Sequence, residues 1–194
     1  MKIHRAPSKL NIPPHATRVF KGKMLDVYHW EQEMFDGTFA LFEKIRRVDT
    51  VNILPITRDK KIVITHQQQP GMDPFIGSVG GRVDSGEDPF HAAKRELLEE
   101  AGMESDDWEL WMSVQPSSVM DWAIFTFIAR DCRTVKHQNL DSGEKITLQT
   151  VSFDEYLKII LDETYRDREL TLAFLKAKER GTLGDIKKLF FTKH

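Results

Sequence analysis

The stretch Gly81-Arg82-Val83-Asp84-Ser85-Gly86-Glu87-Asp88-Pro89-Phe90-His91-Ala92-Ala93-Lys94-Arg95-Glu96-Leu97-Leu98-Glu99-Glu100-Ala101-Gly102-Met103 holds the strongest structural signal in the chain. Its second half has helical periodicity. At about 100° per residue, Glu96, Glu99 and Glu100 stand at i, i+3 and i+4, so their carboxylates share one face. Phe90, Ala93, Leu97 and Ala101 fall on a neighbouring stripe that can be buried while the acidic side stays open. Asp88 is suited to the N-cap, Pro89 to the first helical position and Gly102 to the C-terminal cap. The spacing therefore predicts a helix over 89–101, entered from a loop that Gly80, Gly81, Asp84, Ser85 and Gly86 make tight.

An isolated Glu-Leu-Leu-Glu-Glu run is ordinarily a solvated helix face. Here it adjoins a glycine-rich loop that lets backbone approach a ligand. Hard oxygen donors at a loop-helix junction suit Mg²⁺ or Mn²⁺, which bind through a few carboxylates and the phosphate oxygens of a substrate. Such an ion offsets the carboxylate repulsion, screens a diphosphate and activates water for attack on phosphorus.

Gly81, Glu87, Arg95, Glu96, Leu97, Glu99, Glu100, Gly102 and Met103 complete the pattern of a Nudix box. With average residue usage, those nine positions would coincide by chance with a probability on the order of 10⁻⁷. The chain resembles the Nudix hydrolase superfamily, and the resemblance implies a metal-dependent hydrolase of diphosphate linkages. By that resemblance Glu96, Glu99 and Glu100 are metal ligands, joined by the backbone carbonyl of Gly80, and Glu99 and Glu100 belong to the catalytic set. Glu87 and Arg95 are expected to form an internal ion pair that, with Gly81, supports the box.

Beyond the box, the chain resembles the branch of ADP-ribose pyrophosphatases and nucleoside diphosphate sugar hydrolases. It shares a strand-rich N-terminal segment, Gln67-Gln68-Gln69-Pro70 before the box, and Gln115-Pro116-Ser117-Ser118 after it. Pro116 lies fourteen residues beyond Gly102, against about sixteen in the branch. The resemblance also implies an acidic residue on a mobile loop after the box that positions or deprotonates the attacking water. Glu144, in Leu140-Asp-Ser-Gly-Glu-Lys-Ile146, is the candidate base, with Asp141 as second choice. Substrate contacts are expected from Arg46 and Arg47, from Tyr28, from Gln69 and from Trp122, with Trp30, Phe35 and Phe42 as further aromatic candidates. Two features depart from the branch. An Arg that commonly grips the diphosphate is replaced by Gln68 and Gln69, and the Glu-x-Pro-Ala-Gly pattern before the box is replaced by Ser78-Val-Gly-Gly81.

Three functions stay open. The first is Mg²⁺-dependent cleavage of ADP-ribose or a related nucleoside diphosphate sugar. The second is a Nudix hydrolase acting on nucleoside triphosphates, dinucleoside polyphosphates or a coenzyme. The third is a ligand-sensing Nudix domain without turnover, against which the complete carboxylate set argues.

The rest of the chain fits a small cytoplasmic enzyme. Its 194 residues, 40% hydrophobic, suffice for one good core. Lys plus Arg number 28 against 30 acidic residues, a net charge of −2, so no basic excess tracks a nucleic-acid backbone. No apolar run has the length of a membrane span, and Met1-Lys-Ile-His-Arg-Ala-Pro7 lacks the apolar core of a signal peptide. Cys132 is the only cysteine, which excludes an intrachain disulfide and reads as a small buried residue near a strand end.

Residues 1–47 are expected to form an arm (1 to about 16) and an antiparallel strand segment, interrupted at Gly22 and turned at Asp36-Gly37. Such a segment cannot bury both its faces alone, so a homodimer is expected. Residues 48–194 are expected to form the Nudix domain with C-terminal helices. Within it lie strands at Val51–Ile56, Lys61–Thr65, Ala123–Ala129 and Lys145–Phe153, a turn at Arg58-Asp59-Lys60, and a helix from Asp154 through Leu161. The tail from Asp167 to Phe191 reads as helical with a break at Gly181–Gly184. Strands on both sides of the box helix indicate an α/β/α sandwich around a mixed sheet.

Overall fold

The computed structural model describes residues 2–192. In chain order its elements are β1 (Thr17–Lys21), β2 (Leu25–Glu33), β3 (Phe39–Arg47), β4 (Thr50–Thr57), β5 (Ile62–Gln68), β6 (Phe75–Gly77), β7 (Val79–Arg82), α1 (Pro89–Ala101), β8 (Met103–Glu104), β9 (Asp107–Val114), β10 (Met120–Asp121), β11 (Ile124–Thr134), β12 (Lys145–Val151), α2 (Phe153–Ile159), α3 (Arg168–Glu179) and α4 (Leu183–Phe191).

The central sheet runs β12-β5-β4-β11-β8, with β6 on β5, β7 on β4 and β9 on β11. It is mixed: β4 and β11 are parallel and the other pairings antiparallel. Period-two alternation divides its side chains between two cores. Val51, Ile53, Phe125, Phe127 and Ala129 pack with Ala92, Ala93, Leu97 and Ala101 of α1. Leu54, Ile56, Ile64 and Ile128 face the other way, onto Tyr156 of α2, Leu170 and Phe174 of α3 and Phe190 of α4. Helices thus cover both faces, the expected α/β/α sandwich.

A second sheet has the order β1-β2-β3-β10. Its first three strands are antiparallel, and the turn between β2 and β3 passes through Gly37 at φ +81°. The fourth strand, only two residues long, comes from the body of the chain and pairs parallel to β3, Met120 with Ile45 and Asp121 with Arg46. The N-terminal arm is ordered against this junction. Arg5 reaches Asp49 and Asp121, Ala6 N–H donates to Ser113 Oγ, and buried Lys44 donates to Ser8 Oγ and to the Leu10 carbonyl.

Several boundaries differ from the sequence expectation, among them β4 at Thr50–Thr57 and β5 at Ile62–Gln68. The helix expected from Asp154 is Phe153–Ile159, because Ser152 and Glu155 form a reciprocal capping box that sets the start one residue earlier. Strand β12 accordingly ends at Val151 rather than Phe153. Strand β11 continues past Ala129 to Thr134, with an irregularity between Ala129 and Cys132. Cys132 is buried, and burial pushes its thiol up to about 12, which leaves it inert at neutral pH.

Candidate active site

Helix α1 is fixed at both ends as its sequence requires. Asp88 Oδ1 accepts from the N–H groups of Phe90 (2.9 Å) and His91 (3.2 Å), and Gly102 closes the helix in the left-handed conformation at φ +62°. Loss of such a cap typically costs about 1 kcal/mol. Strand β7 lies antiparallel to β4, with Gly80 opposite Asn52 and Gly81 opposite Val51. A Cβ on Gly80, whose φ is +154°, would collide with the Val51 carbonyl, and a Cβ on Gly81 would collide with the Glu96 carboxylate. Both glycines therefore let the loop lie directly against the sheet and the acidic face of α1.

That acidic face opens onto the cleft at Glu99 but is closed off at its end. Glu100 is only 4% exposed, and its Oε2 accepts the Gly80 N–H at 2.8 Å. Burial pushes its pKa up to about 8, opposed by the Gly80 hydrogen bond and reinforced by the charges of Glu96, Glu144 and Asp167. Burial likewise pushes Glu96 up to about 7, against the pull of Arg95.

Arg95 does more than the expected pairing with Glu87. Its Nε and one terminal nitrogen bind Glu87 at 3.1 and 3.0 Å. The other terminal nitrogen bridges Glu96 Oε1 at 2.8 Å and Glu99 Oε2 at 3.0 Å, and the Arg82 carbonyl accepts a further bond at 2.9 Å. The guanidinium therefore ties the loop to the helix and also holds two of the three box carboxylates together.

These groups line a cleft of about 940 Å³. Gly80, Gly81, Glu96, Glu99, Glu100, Arg95, Gln69 and Glu144 all face it, as do Gln67, Asp141, Arg82 and Met24. Glu144 arrives on the β11–β12 connection, whose first half is tied to the end of α1. Val135 N–H donates to the Gly102 carbonyl, Asn139 N–H to that of Glu99 and Gln138 Nε2 to that of Glu100. The carbonyls left over at the helix end thus anchor the loop.

Four sequence-predicted contacts lie outside the cleft lining, at the junction between the two sheets. The Arg46 guanidinium sits 4.8 Å over the Tyr28 ring and donates to its hydroxyl at 3.3 Å, with Asp121 at 3.5 Å. Arg47 stacks 4.4 Å over Trp122, whose Nε1 donates to Thr50 Oγ1 at 3.1 Å. Trp30 is buried, and Phe42 packs edge-on against it.

Three features of the site escaped the sequence reading. Arg82 and Met24 line the cleft, and Asp167 braces its floor. Asp167 stands at the N-terminus of α3 but makes no capping bond there. Its carboxylate turns inward, where Oδ2 accepts both the N–H and the hydroxyl of Ser78 at 2.7 Å and Oδ1 accepts Asn52 Nδ2 at 3.3 Å. Burial raises the Asp167 pKa, opposed by the bonds from Ser78 and by the neighbouring Tyr165 hydroxyl. Ser78 sits two residues before Gly80.

The donor set suits a hard divalent cation. Every donor is oxygen, and Glu100 is a buried carboxylate with no cationic side chain bound to it, the environment that a metal's charge would neutralise. Among the described residues no group of three His, Cys, Asp or Glu side chains is already gathered as a coordination shell. Glu96 and Glu99 are drawn onto Arg95 instead.

The chain belongs to the NUDIX domain family, whose model matches residues 46–174, and is a Nudix hydrolase. It is 27% identical over 159 residues to a methanol dehydrogenase activator of Bacillus methanolicus, covering 80% of this chain and 86% of that one. It is 25% identical over 167 residues to an ADP-ribose pyrophosphatase of Bacillus subtilis (strain 168), covering 84% and 90%. A crystal structure of an ADP compounds hydrolase superposes with a TM-score of 0.70 at 19% identity, over 91% of this chain and 99% of the other, and supports the fold. No helix among the described residues is long and apolar enough to cross a membrane.

Proposed function

We propose that the enzyme hydrolyses the diphosphate linkage of ADP-ribose or a related nucleoside diphosphate sugar, giving a nucleoside monophosphate and a sugar phosphate. The observation that carries this reading is the convergence on one cleft of Glu96, Glu99 and Glu100 from α1 and Glu144 from a separate loop. Similarity to the Bacillus subtilis pyrophosphatase across most of both chains supports the substrate class.

Mg²⁺, with Mn²⁺ as a substitute, would be held by Glu96, Glu99, Glu100 and the Gly80 carbonyl. It supplies charge neutralisation for the diphosphate and an acidified water. Arg95 binds both Glu96 and Glu99, so its charge offsets the repulsion between these carboxylates. Glu144 accepts the proton of the attacking water, and Glu87 holds Arg95. Gln69 lines the substrate's path, Tyr28 and Trp122 form its nucleoside end, and Arg46 and Arg47 reach its phosphates or stack on the base. A substrate panel of diphosphate sugars, a dinucleoside polyphosphate and a nucleoside triphosphate tests the class; cleavage of the triphosphate alone would overturn it.

Residues 1–47 serve as the dimerisation segment and 48–194 as the hydrolase domain of a cytoplasmic homodimer. Phe39 and Leu41, 64% and 68% exposed, point to the same side of β3 and support a covered face there. Light scattering tests this, and a mass near the 22.5 kDa of one chain would contradict it.

A further inference from the structure

Around the cleft most guanidinium groups are committed to carboxylates. Arg5 is bound to Asp49, Arg46 to Asp121, and Arg95 to Glu87, Glu96 and Glu99. Two are not. Among the described residues neither Arg47 nor Arg82 has an ion-pair partner. Arg82 lines the cleft with its guanidinium resting on the thioether of Met24, a weak acceptor that leaves the charge unneutralised. Arg47 sits over Trp122, its guanidinium carbon 4.4 Å from the ring centroid, and burial, followed by the charge of Arg82, holds its pKa below the usual guanidinium range.

The positions are set by pairing. Arg82 ends β7 opposite Thr50 of β4, and the Thr50 hydroxyl accepts the Trp122 indole N–H. Trp122 carries Arg47. A short chain of contacts thus links Arg82, in the lining of the cleft, to Arg47 just outside it. Like charges held side by side are unfavourable until an anion lies between them, and a guanidinium fork matches phosphate oxygens in geometry as well as charge.

We infer that Arg82, backed by Arg47, forms a phosphate subsite that holds the diphosphate of the substrate. The inference rests on the functional reading above and deepens it. It also accounts for Gln68 and Gln69, which stand where the branch resembled by this chain often has an arginine: here the cation comes from the other wall, inside the box, at a position the box pattern leaves unrestricted.

Two measurements on the full-length protein test it. The first is steady-state cleavage of ADP-ribose with Mg²⁺ by wild type, R82Q, R82K and R47Q. The second is calorimetric titration of inorganic pyrophosphate into the same proteins in EDTA. R82Q is expected to raise KM about tenfold or more while kcat changes less than about threefold, because the subsite binds ground and transition states alike. Pyrophosphate affinity should fall by a similar factor, R82K should recover part of both, and R47Q should show a smaller loss. Unchanged KM and unchanged pyrophosphate affinity in R82Q would overturn the subsite. If no diphosphate sugar is cleaved by the wild type, the functional reading fails, and the pyrophosphate titration alone decides whether the subsite stands.

Discussion

Asp167 Oδ2 accepts both the backbone N–H and the hydroxyl of Ser78 at 2.7 Å, across 89 residues of sequence. Through this contact the C-terminal helical segment braces the strand that delivers Gly80 to Glu100. An aspartate at a helix start ordinarily caps that helix. Here the carboxylate is spent on the active-site loop instead.

Removal of this carboxylate leaves the Ser78 N–H and the Asn52 amide without their acceptor inside the fold. Asp167→Ala should cost about 3 kcal/mol, and Asp167→Asn less, since an amide oxygen still accepts one bond. Chemical denaturation measures both. Equal stability of wild type and Asp167→Ala would show that the contact is dispensable.

Gly80→Ala and Gly81→Ala should separate stability from activity. The added methyl at Gly80 strikes the Val51 carbonyl, part of the sheet, and the residue is held at positive φ. Its loss should exceed about 2 kcal/mol. At Gly81 the methyl strikes the end of the Glu96 side chain, which can swing away. That variant should melt close to the wild type while losing most of its turnover. Thermal melting with parallel assays checks the contrast.

The pH dependence of the metal-free protein follows from the buried carboxylates. Glu96 is pushed up to about 7 and Glu100 to about 8, against about 4.3 in an unfolded chain. Between these limits the folded state binds protons that the unfolded state has released. The stability contribution is therefore greatest at the acidic end and falls as pH rises through the window. The two groups interact, so the apparent midpoints belong to the pair. Melting in EDTA should occur several degrees lower at pH 8 than at about pH 5.5, and millimolar Mg²⁺ should restore much of the difference at pH 8. A melting temperature that climbs across this range in EDTA would contradict the burial argument.

Glu144→Gln should retain fold and substrate binding while lowering kcat by about 10². An exposed loop glutamate with no role would leave kcat unchanged. Burst and steady-state kinetics with the preferred substrate distinguish the two.

What the sequence made legible was local. The Asp88 and Gly102 caps and the i, i+3, i+4 glutamates define α1, and Asp36-Gly37 defines the β2–β3 turn, because each depends on residues within a few positions of one another. The depth of Glu100 was not legible, since helical periodicity locates a face without saying what covers it. Nor was the second fork of Arg95 to Glu96 and Glu99, which depends on side-chain placement across a turn of helix. Strand β10 is two residues long and leaves no periodic trace. Asp167 meets Ser78, and Arg47 meets Trp122, only after the sheets have assembled.

The central claim is tested most directly by mass-spectrometric analysis of the products from ADP-ribose and Mg²⁺, run beside Glu100→Gln. AMP and ribose 5-phosphate from the wild type, with turnover at least about 10³-fold lower in a variant that retains the wild-type fold, is the predicted result. Intact ADP-ribose with the wild type, or full activity in Glu100→Gln, would contradict it.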